Sequence, residues 1–190
     1  MRAPAFSRSP VPPAPPQYVG YSIATGAPSE DNCYASADAA YAYLLSQHTP
    51  PESIVPFGRS LGSGPACHLA AAAAQPCGGL LLQSPLLSGA CAIFGEGTAT
   101  LGSCVDIFKN YQKIGRARCR VCVMHGTADR VVPCWNGRKL LEKAADGHEP
   151  LWCNGRGHND MPEETCLAHA AGFLDFLSSR ETNKPIDVAP

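Results

Sequence analysis

The chain lacks the long apolar run of a membrane-spanning helix, because no stretch approaches the ~20 consecutive apolar residues that cross a bilayer. It also lacks an excess of charge of one sign: 15 basic and 16 acidic residues leave a net charge of −1, without a basic block. This balance excludes the electrostatic features of proteins that bind nucleic acid or anionic membranes. Residue 2 is arginine, so the glycine that myristoylation requires is missing.

Acidic residues are absent from the first 29 positions, as they are from transit peptides. Six of the first 16 residues are prolines, however, and they would break the amphipathic helix that a transit peptide forms. We therefore expect residues 1–16 to be a disordered Pro-rich tail and residues 17–180 to form one domain. Residues 181–190 are expected to be a flexible C-terminal tail.

Ten cysteines are present, but no secretory signal accompanies them, and several lie within apolar runs. This pattern is typical of buried free thiols in a reducing compartment, and it predicts a cytoplasmic protein. Cys119 and Cys122 form a CxxC within a strand-like run, where residues three apart face opposite sides and are poorly placed to share a metal. No spacing of histidines and carboxylates is typical of a metal site, and no glycine-rich loop could hold a phosphate. We therefore expect no metal and no cofactor.

Short apolar runs alternate with helical patterns along the chain. The predicted strands are Ser53–Phe57, Gly79–Gln83, Arg118–Met124 and Pro150–Cys153. The predicted helices are Asp31–Gln47, Leu61–Ala74, one near Cys104–Tyr111, Trp135–Ala145 and Glu163–Ser179. Strands that are continuously apolar, separated by helices, indicate a mostly parallel sheet that is covered by helices on both faces. The predicted fold class is therefore α/β.

The sharpest chemical signal is a G-x-S-x-G pattern over Gly58–Gly62, between a predicted strand and a predicted helix. A serine on a tight strand-to-helix turn projects its hydroxyl above the sheet, and such a turn leaves room only for small neighbours such as Gly58 and Gly62. The N–H of Leu61, at the helix N-terminus, could then donate to an oxyanion. The pattern predicts Ser60 as a nucleophile; a plain glycine-rich connection is the alternative.

A serine hydroxyl needs a base, and the base needs an orienting acid. Asp129 follows one predicted strand and His158 follows another, so both would lie at the carboxyl edge of the sheet, where catalytic groups collect. Asp129 taken alone could be a turn or capping residue, and His158 a loop histidine. Asp106 and Asp160 are alternative acids, although neither ends a strand. His125 is expected to be structural, whereas His48, His68, His148 and His169 receive no role.

With these motifs the chain resembles the alpha/beta-hydrolase-domain-containing 17 family, whose members are serine hydrolases that remove palmitoyl groups from protein cysteines. The resemblance covers about residues 18–179. The matching stretches are Gly20–Glu30, Phe57–Pro65, Ser84–Gly89, His125–Asp129 and Gly157–Asp160. It implies an α/β-hydrolase fold, with Ser60 as the acylated nucleophile, His158 as the general acid and base, and Asp129 as the orienting acid. It also implies a path for the acyl chain past Leu86 and Leu87.

The sequence departs from that family at its N-terminal end. Family members carry further strands, a loop that supplies a second oxyanion donor, and a palmitoylated Cys-rich segment that holds them on membranes. Here residues 1–16 are Pro-rich and the first cysteine is Cys33, so we expect an N-terminally truncated fold and no membrane association of the family's kind. The nucleophile strand Ser53–Phe57 would then be an open hydrophobic edge, able to pair with another chain. Pro56 would lie within that strand, which is unusual for a central strand.

The sequence therefore predicts a serine hydrolase that cleaves an acyl thioester or ester, including the thioester of an S-palmitoylated protein. A missing oxyanion donor would weaken its activity. Two alternatives stay open: a catalytically inactive truncated paralogue that acts as a binding module, and an α/β-hydrolase that acts on small esters or peptides.

Overall fold

A parallel sheet forms the centre of the computed structural model, which describes residues 18–20, 22, 24–94 and 106–181. Within this part of the chain the sheet has four strands, in the order in which they occur in the sequence. They are β1 (Phe57–Arg59), β2 (Gly79–Gln83), β3 (Arg120–Gly126) and β4 (Leu151–Cys153). Because the strands are parallel, their carboxyl ends all lie at one edge of the sheet.

Helices connect and flank these strands. They are α1 (Glu30–Ser46), α2 (Ser63–Ala72), α3 (Gly89–Phe94), α4 (Asn110–Lys113), α5 (Trp135–Lys143) and α6 (Glu163–Glu181). The start of α1 follows directly from its sequence: the Ser29 side chain accepts a hydrogen bond of 3.1 Å from the Asn32 N–H, and Glu30 and Asp31 occupy the positive end of the helix dipole. No helix in the described ranges is both long and apolar enough to cross a bilayer.

Alternate residues of the central strands fill two separate cores. Leu80 and Leu82 of β2 pack in one buried cluster, together with residues of α1, α2 and α5, whereas Leu81 packs on the opposite face against α6. The same alternation in β3 places Val121 and Val123 in the first cluster and Cys122 in the second. Apolar burial on both faces explains why these strands read as continuous apolar runs, and it confirms the predicted α/β class.

The predicted nucleophile strand Ser53–Phe57 is wrong in position. Pro51–Ser53 form a 3₁₀ turn, and β1 begins only at Phe57. Pro56 therefore precedes the strand, where its carbonyl accepts a hydrogen bond of 3.0 Å from the Leu81 N–H and its missing N–H costs nothing. The anomaly expected at Pro56 disappears with this shift.

Other boundaries differ by a few residues. The strand predicted over Arg118–Met124 runs two residues later, as β3, and a 3₁₀ turn over Ser60–Gly62 precedes α2, which replaces the predicted start at Leu61. Of the helix predicted near Cys104–Tyr111, residues 104 and 105 lie outside the described residues, and α4 begins at Asn110. The predicted tail over 1–16 and residues 182–190 also lie outside them.

β1 stands at one end of the described sheet, with β2 as its only strand partner there. The side chain of Phe57 is 56% exposed, and Leu167 of α6, near the same edge, is 61% exposed. A cavity of about 450 Å³ lies between this end of the sheet and α6, and mostly apolar side chains line it. Pairing of this edge with another chain remains a prediction.

Candidate active site

Ser60 lies on a strained turn between β1 and α2. Its φ of 51° is in the left-handed region, which residues other than glycine seldom adopt. The Ser63 hydroxyl stabilises the turn by donating a hydrogen bond of 2.6 Å to the Ser60 carbonyl. A left-handed serine between a strand and a helix is typical of a nucleophile elbow, in which the strain accompanies projection of the hydroxyl above the sheet.

The two glycines of the G-x-S-x-G pattern differ in how closely their neighbours approach. A Cβ at Gly58 would lie 2.7 Å from the Gly62 carbonyl oxygen and 2.8 Å from the Cβ of Ala66, so only glycine fits there. A Cβ at Gly62 would meet no heavy atom of the described residues within 4 Å. Among the described residues, no neighbour requires a small side chain at position 62, so that part of the expectation is wrong. Glycine is required at position 58, where the strand passes close to the helix.

The structure brings Ser60, His158 and Asp129 into one hydrogen-bonded chain. Nε2 of His158 lies 3.0 Å from Oγ of Ser60, and Nδ1 of His158 lies 2.7 Å from Oδ2 of Asp129. The three residues follow β1, β4 and β3, so the carboxyl edge of the sheet collects them although up to 98 positions separate them. With a proton on Nδ1 donated to Asp129, Nε2 is free to accept the proton of the serine hydroxyl.

The environment of Asp129 keeps its carboxylate charged. Burial raises the pKa of this carboxyl, but hydrogen bonds from His158 and from the backbone N–H groups of Val132 and Val131 outweigh burial and hold the pKa below its ordinary value. Both backbone N–H groups donate to Oδ1 at 2.9 Å, which leaves Oδ2 for the histidine. The loop after β3 thus fixes both the charge and the direction of the carboxylate.

His125 lies beneath this loop and is completely buried. Its Nε2 donates a hydrogen bond of 2.9 Å to the Val132 carbonyl and lies 3.3 Å from Oδ2 of Asp129. Its Nδ1 has no hydrogen-bond partner among the described residues. Burial lowers the pKa of His125 despite these neighbours, so the ring is neutral and supports the Asp129 loop from below.

The alternative acids have other partners. Oδ1 of Asp106 accepts a hydrogen bond of 2.7 Å from the Ala90 N–H, at the start of α3. Oδ1 of Asp160 accepts a hydrogen bond from the Gly157 N–H and so closes the turn that carries His158. Of the three carboxylates, that of Asp129 accepts the hydrogen bond from Nδ1 of His158.

The remaining predicted site residues are Leu61, Leu86 and Leu87. Leu61 follows Ser60 directly in the 3₁₀ turn, with its side chain 46% exposed. Leu86 and Leu87 are only 4% and 3% exposed. Leu86 packs in a small buried cluster that includes Phe108 and Val132, and Leu87 belongs to the main core. The structure thus places Leu61 at the site and encloses the other two leucine side chains within the protein.

Sequence reasoning missed Arg59 and Asn159. Nη2 of Arg59 donates hydrogen bonds to Oδ1 of Asn159 at 2.8 Å and to the His158 carbonyl at 3.2 Å. These bonds join the turn of Ser60 to the loop of His158. Each residue is adjacent to a predicted catalytic residue, but nothing in a sequence separation of 100 positions indicates that the two side chains meet. Both also line the cavity between β1 and α6.

Comparison with solved structures identifies the class of fold. An esterase from Thermogutta terrifontis superposes with a TM-score of 0.64 at 19% identity, over 82% of this chain and 70% of that one. The Paleococcus ferrophilus monoacylglycerol lipase superposes with a TM-score of 0.56 at 18% identity, over 81% of this chain and 77% of that one. Together with the parallel sheet and its covering helices, these likenesses define the class: the chain has an α/β-hydrolase fold.

Sequence comparison adds a more specific relationship. The human alpha/beta hydrolase domain-containing protein 17C is 38% identical over 167 residues, which are 87% of this chain and 49% of that protein. The Caenorhabditis elegans protein aho-3 is 37% identical over 164 residues, 85% of this chain and 48% of that protein. The chain is therefore a homologue of the alpha/beta hydrolase domain-containing protein 17 proteins, as its motifs predicted, and it spans about half their length. No protein-family model matches it.

Proposed function

We propose that this chain is a serine hydrolase that cleaves an acyl thioester or ester, with Ser60 as nucleophile, His158 as general acid and base, and Asp129 as orienting acid. The observation that carries the proposal is the continuous chain of contacts from Ser60 Oγ to His158 Nε2 at 3.0 Å and from His158 Nδ1 to Asp129 Oδ2 at 2.7 Å. A serine, a histidine and a buried carboxylate in this order and at these distances suit acyl transfer.

In the proposed reaction, Nε2 of His158 takes the proton of the Ser60 hydroxyl as Oγ attacks the acyl carbon. The charged Asp129 stabilises the imidazolium that forms. The imidazolium then gives its proton to the departing thiol or alcohol, and an acyl-serine remains. A water molecule, deprotonated by the same imidazole, then attacks the acyl-serine. The bond between the acyl carbon and Ser60 Oγ breaks, the acid leaves, and the imidazolium returns its proton to Oγ.

The tetrahedral intermediate carries a negative oxygen that needs hydrogen-bond donors. The Leu61 N–H, in the residue directly after Ser60, supplies the first donor in the proposed mechanism. An α/β-hydrolase uses a second donor from a different loop, and loss of one donor costs roughly 10²–10³ in rate. We therefore propose that full activity depends on a donor from outside the described residues, and that these residues alone support slow turnover.

The resemblance to the alpha/beta hydrolase domain-containing protein 17 family supports a proposal about the substrate class. We propose an acyl thioester, with S-palmitoylated protein as the physiological form, and small esters as the alternative. The predicted contact of Leu86 and Leu87 with an acyl chain would require these buried side chains to become accessible. Relative turnover of octanoyl thioester and acetyl ester by the same preparation separates the two substrate classes.

A fluorophosphonate probe tests the nucleophile. Wild-type protein should become labelled, slowly if an oxyanion donor is lacking, and Ser60→Ala should abolish the label. Ser46→Ala, which changes an exposed serine of α1, is the matched control and should keep the label. Absence of labelling in folded wild-type protein, judged by circular dichroism, would reject the hydrolase proposal and favour the inactive binding module. Labelling that survives in Ser60→Ala would reject the assignment of the nucleophile.

A further inference from the structure

Two cysteines meet at the edge of the sheet that is opposite Ser60. Cys77 lies two residues before β2, and Cys119 lies immediately before β3. The two strands are neighbours, with Gly79 of β2 in register with Arg120 of β3, so the backbone ladder holds the two thiols side by side. Their Sγ atoms are 3.5 Å apart, and both thiols are free.

The CxxC pattern in the sequence does not describe this arrangement. Cys122 points to the other face of the sheet, where its Sγ lies 3.4 Å from Nε2 of His169. Cys119 packs instead beside Cys77 at the main core. The alternation of β3 thus separates the two cysteines of the pattern, and pairing with β2 gives Cys119 a partner 42 residues away in the sequence.

The surroundings of Cys77 favour a thiolate. The hydrogen bond between Cys77 and Cys119 lowers the pKa of the Cys77 thiol. The Cys77 and Gly79 backbone N–H groups and the Arg118 guanidinium add to this effect against the influence of burial. Burial alone raises the pKa of Cys122 to about 12. Of the described cysteines with a shifted pKa, Cys77 is the one whose pKa is lowered. A thiolate is the reactive form of cysteine, so the lowered pKa favours Cys77 over Cys119 as the sulfur that reacts first.

We propose that Cys77 and Cys119 form a reversible disulfide when the folded protein encounters hydrogen peroxide, so that this contact is a site of oxidative modification. The 3.5 Å separation needs a closing movement of about 1.5 Å to reach the S–S bond length of about 2.05 Å. Cys77 is only 4% exposed, which admits a small peroxide more readily than a bulky disulfide.

The chemistry balances with one peroxide for each pair. The Cys77 thiolate attacks one peroxide oxygen, the O–O bond breaks, and the hydroxide that leaves takes a proton to become water. Cys77 is then a sulfenic acid. The sulfur of Cys119, on losing its proton, attacks the sulfur of Cys77, forms the S–S bond and displaces hydroxide, which that proton converts to a second water. The two thiols together lose two electrons, which the peroxide accepts. A thiol reductant reverses the step.

The disulfide would stabilise the fold without touching the candidate active site. It would close the segment from residue 77 to residue 119, which contains β2, and it would lie at the amino ends of the strands, away from Ser60 and His158. Restricting the unfolded chain in this way raises the thermal midpoint by roughly 5–15 °C. Oxidised protein should therefore melt higher and react with a fluorophosphonate at the same rate as reduced protein.

The test maps disulfides in wild-type protein. Fully reduced protein is treated with an equimolar amount of hydrogen peroxide, its remaining thiols are alkylated, and non-reduced peptides are analysed by mass spectrometry. We expect a Cys77–Cys119 cross-linked peptide that dithiothreitol removes, and Cys67→Ala, which deletes a completely buried thiol, should still form it. Oxidation spread evenly over the cysteines, or a different pair as the main product, would overturn the proposal. So would folded protein whose Cys77 and Cys119 remain alkylatable after peroxide treatment.

A second variant traps the intermediate. In Cys119→Ala the resolving thiol is absent, so Cys77 should stop at the sulfenic acid, which a cyclic 1,3-diketone labels. Label at Cys77 in this variant, with much less in wild type, supports the order of steps. If diketone label falls on other cysteines while Cys77 stays unlabelled, the proposed nucleophile is incorrect.

Discussion

Arg59 and Asn159 join the two halves of the candidate active site. The guanidinium of Arg59 precedes Ser60 and donates to the side chain of Asn159, which follows His158, at 2.8 Å. The same Nη2 atom donates to the His158 carbonyl at 3.2 Å. These hydrogen bonds connect the loop of His158 to the turn of Ser60. They lie beside the 3.0 Å contact between His158 and Ser60.

Replacing Arg59 should loosen His158 relative to Ser60. A hydrogen bond of this kind contributes about 0.5–1.5 kcal/mol, so Arg59→Ala should slow fluorophosphonate labelling by about 2- to 10-fold. Arg59→Lys keeps the charge but not the planar fork, and should recover only part of the rate. Asn159→Ala removes only the bond between the two side chains and should produce a smaller loss. The double variant should be little slower than Arg59→Ala alone, because Arg59→Ala already removes that shared bond together with the bond to the His158 carbonyl.

Arg156→Ala provides the control for Arg59, because this exposed arginine lies in the same loop as His158. Its labelling rate should stay within twofold of wild type. Strictly additive losses in Arg59→Ala and Asn159→Ala would show that the two residues act separately and that their hydrogen bond does not position His158.

The two glycines that flank Ser60 should respond differently to alanine. Gly58→Ala would force a Cβ to within 2.8 Å of Ala66 and Ser63, so we expect a displaced turn, a thermal midpoint lower by several degrees and loss of probe labelling. Gly62→Ala meets no described atom within 4 Å and should fold with a midpoint within about 2 °C of wild type. Thermal unfolding of the two purified variants, followed by circular dichroism, compares them directly. Equal destabilisation of both would contradict the packing described at Gly58.

Much of the architecture could be predicted because it depends on local patterns. Continuous apolar runs specify strands that are buried on both faces, as in β2, and the rule that parallel strands share a carboxyl edge leads from Ser60, Asp129 and His158 to one location. The error at Ser53–Phe57 has an equally local cause. The apolar run predicts a strand, but Pro51 begins a 3₁₀ turn just before it and Pro56 fixes the backbone within it, so the strand starts only after Pro56.

Contacts between distant residues could not be predicted in the same way. The pairing of Cys77 with Cys119 depends on which strands are neighbours and on their register, and a single sequence specifies neither. The contact between Arg59 and Asn159 likewise depends on which strand ends lie next to each other. The burial of Leu86 and Leu87 also depends on tertiary packing, since apolar side chains that follow a strand suit a core and a substrate surface equally well.

Asp129→Asn tests whether Asp129, and not Asp106 or Asp160, is the acid that orients His158. An amide at this position cannot stabilise the imidazolium and favours the wrong tautomer of His158, so the labelling rate should fall by about 10³–10⁴. Asp106→Asn and Asp160→Asn are matched controls, because an amide oxygen can still accept the backbone N–H groups that these residues bind. Both controls should label within about threefold of wild type. A larger loss in either control than in Asp129→Asn would move the acid away from Asp129.

The buried, neutral His125 should make folding stability depend on pH. Its folded-state pKa lies below the unfolded value of about 6.5, so between these two pKa values the unfolded chain binds a proton that the folded chain does not. The free energy of unfolding should therefore fall as the pH decreases through the unfolded value of about 6.5, by at most about 1.4 kcal/mol per pH unit for this group. His148, whose pKa burial also lowers, adds to the slope with the same sign.

Urea unfolding at several pH values measures this slope. His125→Gln removes one of the two titrations and should flatten the dependence, even though the variant is less stable at neutral pH because the hydrogen bond to the Val132 carbonyl is disturbed. Ile114→Val serves as the control: it trims a completely buried side chain, should cost about 0.5–1.5 kcal/mol at every pH, and should leave the slope unchanged. An unchanged slope in His125→Gln would mean that the ring gains its proton equally in both states, and that it is not held neutral beneath the Asp129 loop.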